Sequence, residues 1–306
     1  MRAARIAELG GTPEPVEVED AGGIEIVAVA LNPLDLAVAA GRFYGGHPPL
    51  PYVPGCEAVG RLDGQRVYLF GERFGTGRDG FLAERVDFPA TQALPVPDAI
   101  DDEHAAVCGI AGIAGWGAVA LRAHVQPGDR VLVLGATGLV GSIALQGARL
   151  LGAERVVAAG RDPEALERAL ELGADATVRL DGNDLVGRIR DACGGDGPTH
   201  VVDPLWGEPA QSAVEAAAPT ARIVQLGQSA APEATLTSAA IRGKRLSILG
   251  HSVFTLPAED RRAAYAELAE HVAAGRIRID VETFALEDVA AAWDAQAAGR
   301  KAVVRL

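Results

Sequence analysis

The chain has 306 residues, of which 49% are hydrophobic and 5% aromatic, enough for one large or two ordinary globular domains with an aliphatic core. A formal net charge of −13, with no basic run of five or more, argues against nucleic acid or an anionic membrane surface as a partner. No apolar run is read as a transmembrane helix, the opening MRAARIAELGG lacks a signal-peptide core, and Cys56, Cys108 and Cys193 form no CxxC pair, so a cytoplasmic protein with reduced thiols is expected.

The first part of the chain, to about residue 110, reads as a β domain of irregular strands. Residues 25–30 (EIVAVA), 58–61, 65–70 and 81–86 are short, rich in β-branched or aromatic residues and punctuated by glycine and proline. Between them, residues 41–55 hold Phe43, Tyr44, His47, Tyr52 and prolines at 48, 49, 51 and 54, which favours a stiff extended connection and aromatic pocket walls. Residues 101–124 are helix-biased, with an interruption expected at 112–116. From residue 131 strands near 131, 155, 177, 200, 222 and 247 alternate with helical segments near 140, 163, 184, 208 and 237, predicting six parallel strands in a doubly wound sheet. Two amphipathic helices follow at 258–274 and 286–298, and residues 302–306 form a last strand expected to return to the first domain.

The most informative stretch is VLVLGATGLVGSIALQGARLLG, residues 131–152. Four apolar residues fit a strand buried on both faces. The turn Gly135, Ala136, Thr137, Gly138, Leu139, Val140, Gly141 places glycine where a tight turn, a close backbone approach and close helix packing each exclude a β-carbon. The helix that follows offers unpaired N–H groups and the positive end of its dipole, so a pyrophosphate is the expected occupant. Nineteen positions beyond Gly141, where an NAD site would carry a ribose-binding carboxylate, stand Gly160 and Arg161. A guanidinium beside a glycine leaves room for a 2′-phosphate and binds it in a fork, so NADP is the expected cofactor.

This order resembles the medium-chain dehydrogenase/reductase superfamily and, within it, the quinone oxidoreductase (zeta-crystallin-like) branch. The matching segments are LNPLD (31–35), LPYVPG (50–55), GFLAE (80–84), VQPGD (125–129), GATGLVG (135–141) and ARIVQLG (221–227). The resemblance implies a Rossmann domain over 111–255 and a β-rich, GroES-like catalytic domain from 1–110 and 256–306. It also implies a nicotinamide in the cleft between them. Zinc-dependent members carry cysteine, histidine and cysteine where this chain has Asn32, Cys56 and Ile110, so no metal site is expected. Two segments, 19–24 and 60–65, are shorter than usual in the branch, and Ala114 stands where relatives have a threonine near the nicotinamide.

Asn32, Tyr44 and Tyr52 are the resemblance's candidates for polarising a substrate oxygen. Asn32 also reads as a cap before Pro33, and either tyrosine as a packed aromatic. Leu226, Gly227, His251, Ser252 and Lys301 join the turn residues as expected cofactor contacts. His251 and Ser252 do so by position after the strand at 246–249, and Trp206 is a further candidate neighbour. The expected activity is zinc-independent, NADPH-dependent hydride transfer to a small-molecule quinone or α,β-unsaturated carbonyl. The alternatives are an enoyl reductase of a biosynthetic pathway and a weakly catalytic NADPH-binding redox sensor or structural protein. The apolar strand at 246–249, expected at the sheet edge, predicts a homodimer.

Overall fold

A computed structural model describes residues 1–71 and 73–306. Tertiary contacts divide the chain into two units, one of Met1–Ala111, Tyr265–Ala274 and Ile279–Leu306, the other of Gly112–Ala264 and Gly275–Arg278.

In the first unit, β1 (Arg2–Arg5) and β2 (Glu14–Glu17) form a two-stranded ribbon, and β3 (Ile24–Ala30) leads directly into α1 (Pro33–Ala39). Next come β4 (Glu57–Leu62), β5 (Gln65–Phe70), β6 (Arg85–Val86), β7 (Leu94–Pro95) and α2 (Asp102–Val107). Strands β4 and β5 are joined through Asp63 and Gly64 alone, both at positive φ (50° and 79°), the tight hairpin that the Asp-Gly pair encodes. The segment at 81–86 is a strand only at Arg85–Val86. Its earlier part spends its N–H groups on the turn and on β1, with Phe81 N donating to Gly55 O, Leu82 N to Pro54 O and Glu84 N to Arg2 O, so no ladder forms there. Phe74, Phe81 and Phe88 pack together in this core, with ring centroids 4.8 to 5.8 Å apart.

The helical stretch after residue 101 breaks earlier than its composition predicts. Cys108–Gly112 and Ala118–Ala123 are wide π-type turns, Gly109 leaves helical geometry (φ −72°, ψ −113°), and α3 (Ile113–Gly117) is regular where the interruption was expected. The cause is a carboxylate. Ile110 N donates to Glu57 Oε2 at 2.5 Å instead of to a helical carbonyl, and a β-carbon on Gly109 would lie 2.1 Å from that oxygen. By length and composition Asp102–Ala123 does pass for a membrane span, contrary to the sequence reading, but 72% of its apolar window is buried inside the protein.

The second unit alternates strand and helix: β8 (Arg130–Leu134), α4 (Leu139–Leu150), β9 (Arg155–Gly160), α5 (Pro163–Glu171), β10 (Ala176–Arg179), α6 (Leu185–Cys193), β11 (His200–Asp203), α7 (Gly207–Ala216), β12 (Arg222–Gln225), α8 (Ser238–Lys244) and β13 (Ser247–Gly250). All six strands are parallel, in the order β10-β9-β8-β11-β12-β13. The order reverses between β8 and β11, the place where open α/β sheets bind ligands at their carboxyl ends. Val131 and Val133 pack into one face and Leu132 and Leu134 into the other, so β8 is apolar throughout. β13 is an edge strand with Ile248 exposed.

The chain re-enters the first unit within α9 (Ala258–Ala273), continues through β14 (Glu282–Ala285) and α10 (Val289–Ala297), and ends in β15 (Ala302–Arg305). That last strand runs antiparallel to β3 and parallel to β14.

Candidate functional site

At the carboxyl end of β8 the chain turns through Gly135, whose φ of +60° suits only glycine at low cost. Ala136 N donates to Ala159 O (3.1 Å) and Gly138 N to Gly135 O (3.1 Å), which fixes the turn against β9. Gly138 is the N-cap of α4, and the first helical bond comes from Ser142 N to Gly138 O (2.8 Å). The N–H groups of Leu139, Val140 and Gly141 therefore lie before the first helical acceptor. A β-carbon on Gly141 would come within 2.3 Å of Gly135 O, so only glycine lets the helix start this close to the strand. Thr137 and Gly138 are exposed.

One strand away, Gly160 ends β9 with Thr137 over it: a β-carbon there would meet Thr137 Cγ2 at 2.9 Å. Arg161 is exposed, and no hydrogen bond or ion pair engages its guanidinium among the described residues. Asp162 is occupied as the N-cap of α5, its Oδ1 accepting from Glu164 N (3.0 Å) and Ala165 N (3.4 Å).

On the other side of the reversal, Leu226 N donates to Asp203 O (3.0 Å), Gln225 Nε2 donates to Gly227 O (2.6 Å), and a β-carbon on Gly227 would stand 2.5 Å from Pro204 O. Asp203, which the sequence did not single out, is fully buried. Its Oδ1 accepts from Leu205 N and Trp206 N, both at 2.9 Å, and burial raises its pKa. It shapes the loop whose Leu205 packs on Gly135. His251 follows β13, donating its N–H to Gln225 O (2.9 Å), and its buried ring lies against Gly117. Burial lowers the imidazole pKa, the Ile113 backbone offsetting part of the effect, so His251 is neutral at pH 7. Ser252 makes no side-chain capping bond at the start of the short turn that follows.

The first unit holds a second polar cluster, and it corrects several expectations. Asn32, expected to donate to a substrate, is 2% exposed. Its Nδ2 donates to Glu57 Oε1 (2.8 Å) and Ala30 O (3.2 Å), which uses both amide hydrogens, while Oδ1 accepts from Lys301 Nζ (2.9 Å). Lys301, expected beside the cofactor, is buried here, and its Nζ also donates to Leu31 O (2.5 Å). Glu57 accepts in addition from Tyr68 Oη (2.7 Å) and Ile110 N. Asp35 Oδ2 accepts from Asn32 N (2.7 Å). Burial raises the pKa of Glu57 and of Asp35 and lowers that of Lys301, and in each case attraction to the opposite charge works against the shift. Tyr52 is 1% exposed and its hydroxyl has no partner among the described residues, so it cannot serve as a surface donor. Tyr44 is 89% exposed and tilted against Phe43. Asp35, Glu57 and Lys301 stand far apart in sequence, and no local spacing announces their meeting.

Cys56 is buried, and burial pushes its thiol pKa well up. Among the described residues no three His, Cys, Asp or Glu side chains gather as a metal-binding group.

Residues 140–273 match the family model described as zinc-binding dehydrogenase. Over 95% of its length the chain is 30% identical to a phenolphthiocerol/phthiocerol polyketide synthase protein of Mycobacterium tuberculosis, of which it spans only 13%. It is 26% identical to the quinone oxidoreductase of Rattus norvegicus, covering 85% of this chain and 82% of that one. The quinone oxidoreductase of Thermus thermophilus, solved also in complex with NADPH, superposes with a TM-score of 0.80 at 28% identity, with both chains fully covered. With the strand order β10-β9-β8-β11-β12-β13, the glycine turn at its reversal and these similarities together, the chain belongs to the medium-chain dehydrogenase/reductase superfamily, on its quinone-oxidoreductase-like branch.

Proposed function

We propose that this protein is an NADPH-dependent reductase that passes hydride to a quinone or an α,β-unsaturated carbonyl. The observation that carries the cofactor assignment is the end of β9. Gly160 has no side chain, Asp162 has its carboxylate committed to the N-terminus of α5, and Arg161 is left without a protein partner among the described residues. An NAD-selective site needs a free carboxylate for the ribose 2′-hydroxyl, whereas a free guanidinium there favours a 2′-phosphate. The cradle fits a dinucleotide on its own geometry, since Gly135, Gly141 and Gly227 let the turns pack closely where a β-carbon would meet Leu205, Gly135 O and Pro204 O, and the first N–H groups of α4 are left without a helical acceptor. The complex of the Thermus relative with NADPH supports the same reading.

When bound, NADPH supplies a hydride, and one further proton completes the reduction of a quinone to a hydroquinone. The chain's part is to hold and orient. The N–H groups at the start of α4 receive the pyrophosphate, and Arg161 receives the 2′-phosphate. No group of metal-ligating side chains is at hand among the described residues to polarise the acceptor, so it must take hydride with modest polarisation, a condition that quinones and activated enones meet. Of the three donors considered from sequence, Tyr44 alone keeps a hydroxyl in solvent, and we assign it the proton donation to an enolate oxygen.

The 30% identity to a polyketide synthase segment over 95% of the chain favours a second reading, enoyl reduction in a biosynthetic pathway. The edge position of β13 supports pairing with a second copy. A panel of quinones, enones, enoyl thioesters and primary alcohols, followed at the NADPH absorbance band, tests the reaction. Turnover with quinones or enones is expected. Tight NADPH binding without turnover on any acceptor would leave the sensor reading, and robust alcohol oxidation would overturn the proposal.

A further inference from the structure

We infer that Arg179 is a second specificity-determining residue for the 2′-phosphate, held in reserve by Asp181. The inference rests on the NADPH reading above and adds a residue that no motif in the sequence marks.

β10 is the edge strand beside β9, parallel to it, and Arg179 is the register partner of Gly160. Register partners in parallel strands project to the same face, about 4.8 Å apart. Val178 and Ala159, partners one step earlier, both pack into the opposite face, which confirms the alternation. Arg179 therefore rises on the face where the side-chain position of Gly160 is covered by Thr137 Cγ2 and Leu166. A phosphate held by Arg161 just past Gly160 would lie beside the Thr137 hydroxyl, for which no protein partner is found among the described residues, and within one strand spacing of Arg179.

The local backbone keeps Arg179 at this height. Leu180 N donates to Gly160 O (2.8 Å), Arg188 Nη1 donates to Arg179 O (2.6 Å), and Arg188 Nε donates to Asn183 O (3.1 Å), so the turn after β10 is braced. Only the guanidinium is free to choose its partner. It pairs with the Asp181 carboxylate, and both side chains are more than half exposed (55% and 51%). An exposed ion pair of this kind contributes little and is readily exchanged. A 2′-phosphate carries more charge and offers three acceptor oxygens, so it displaces Asp181 from the guanidinium. Arg161 and Arg179 then hold the phosphate from two strands, and Asp181 sets the threshold for the exchange.

The test uses adenosine 2′,5′-bisphosphate and 5′-AMP as probes, titrated by calorimetry on the whole protein, with melting temperatures checking the fold of each variant. The parent should bind the bisphosphate more tightly than 5′-AMP. Arg179→Gln should weaken the bisphosphate about tenfold, the lower bound for one charge-assisted hydrogen bond, and leave 5′-AMP within about twofold. Asp181→Asn removes the competitor and should tighten the bisphosphate about two- to fivefold without changing 5′-AMP. If Arg161→Gln weakens the bisphosphate while Arg179→Gln and Asp181→Asn do not move it, the inference is overturned and the NADPH reading stands. If the parent itself does not distinguish the two probes, the NADPH reading fails and the inference with it.

Discussion

Replacing Lys301 by methionine keeps most of the side chain's volume and removes its charge from the buried cluster of the first unit. Nζ donates to Leu31 O and to Asn32 Oδ1, and it is the cation whose attraction opposes the burial-driven rise in the Glu57 and Asp35 pKa values. Removing one partner from a buried ionic network leaves uncompensated charge and costs about 3–5 kcal/mol. Part of that cost is avoidable by protonation, which sets the pH dependence. Carboxyl groups with a raised folded-state pKa are tolerated below their ordinary value and lose stability as pH rises through the folded value. Without Lys301 both values rise further, so the variant should lose stability progressively from about pH 4 upward, and its deficit against the parent should be larger at pH 8 than at pH 5. In the parent, Lys301 has its pKa lowered by burial, so its own charging cost is greatest at low pH and is relieved as pH rises, which widens the same gap. Urea unfolding followed by tryptophan fluorescence at pH 5, 6.5 and 8 measures this. Adding Glu57→Gln to Lys301→Met should recover part of the loss at pH 8. A deficit below about 1 kcal/mol, or one equal at all three pH values, would show that the cluster is not a compensated charge network.

Tyr52→Phe removes a buried hydroxyl that has no partner among the described residues, a group whose burial costs about 1–3 kcal/mol, so the melting temperature should rise or stay unchanged and enone turnover should be retained. Tyr44→Phe should lower turnover on enones more than on quinones, because a reduced quinone is already a delocalised phenolate, and steady-state rates with paired acceptors check this. Arg161→Ala should cost NADPH about ten- to a hundredfold in affinity and leave NADH nearly unchanged, read by fluorescence titration. The purified protein should carry well under one zinc per chain and keep its activity in a chelator, measured by elemental analysis and assay. Ile248→Lys, which places a charge on the exposed edge strand β13, should shift the mass seen by light scattering from dimer to monomer.

What the sequence determined by itself was the second unit. Its central strands β8 and β9 are short, largely apolar runs buried on both faces, its helices have their own spacing and caps, and its turns are marked by glycine, so each element follows from a local stretch of chain. The turn from Gly135 to Gly141 is legible for the same reason, since the positions that exclude a β-carbon are glycines in a fixed pattern. Less of the first unit could be read this way. The seven-residue helix α1 is too short for a periodic signal, and the segment at 81–86 has strand composition but bonds to a turn and to β1 instead of to a ladder. Only the tertiary structure decided where the π-type break falls, because its cause, the Glu57 carboxylate, lies 53 residues away from Ile110 in the chain. Asn32 was legible as a hydrogen-bonding residue, but whether its amide faces a substrate or is spent on Glu57 and Lys301 depends on contacts spanning 25 and 269 residues. Burial likewise separated Tyr52 from Tyr44, two tyrosines of one loop that composition cannot distinguish. Chain-local physics writes turns, caps and periodicity into neighbouring residues, whereas the partners of a buried polar group are chosen by strands that meet only after folding.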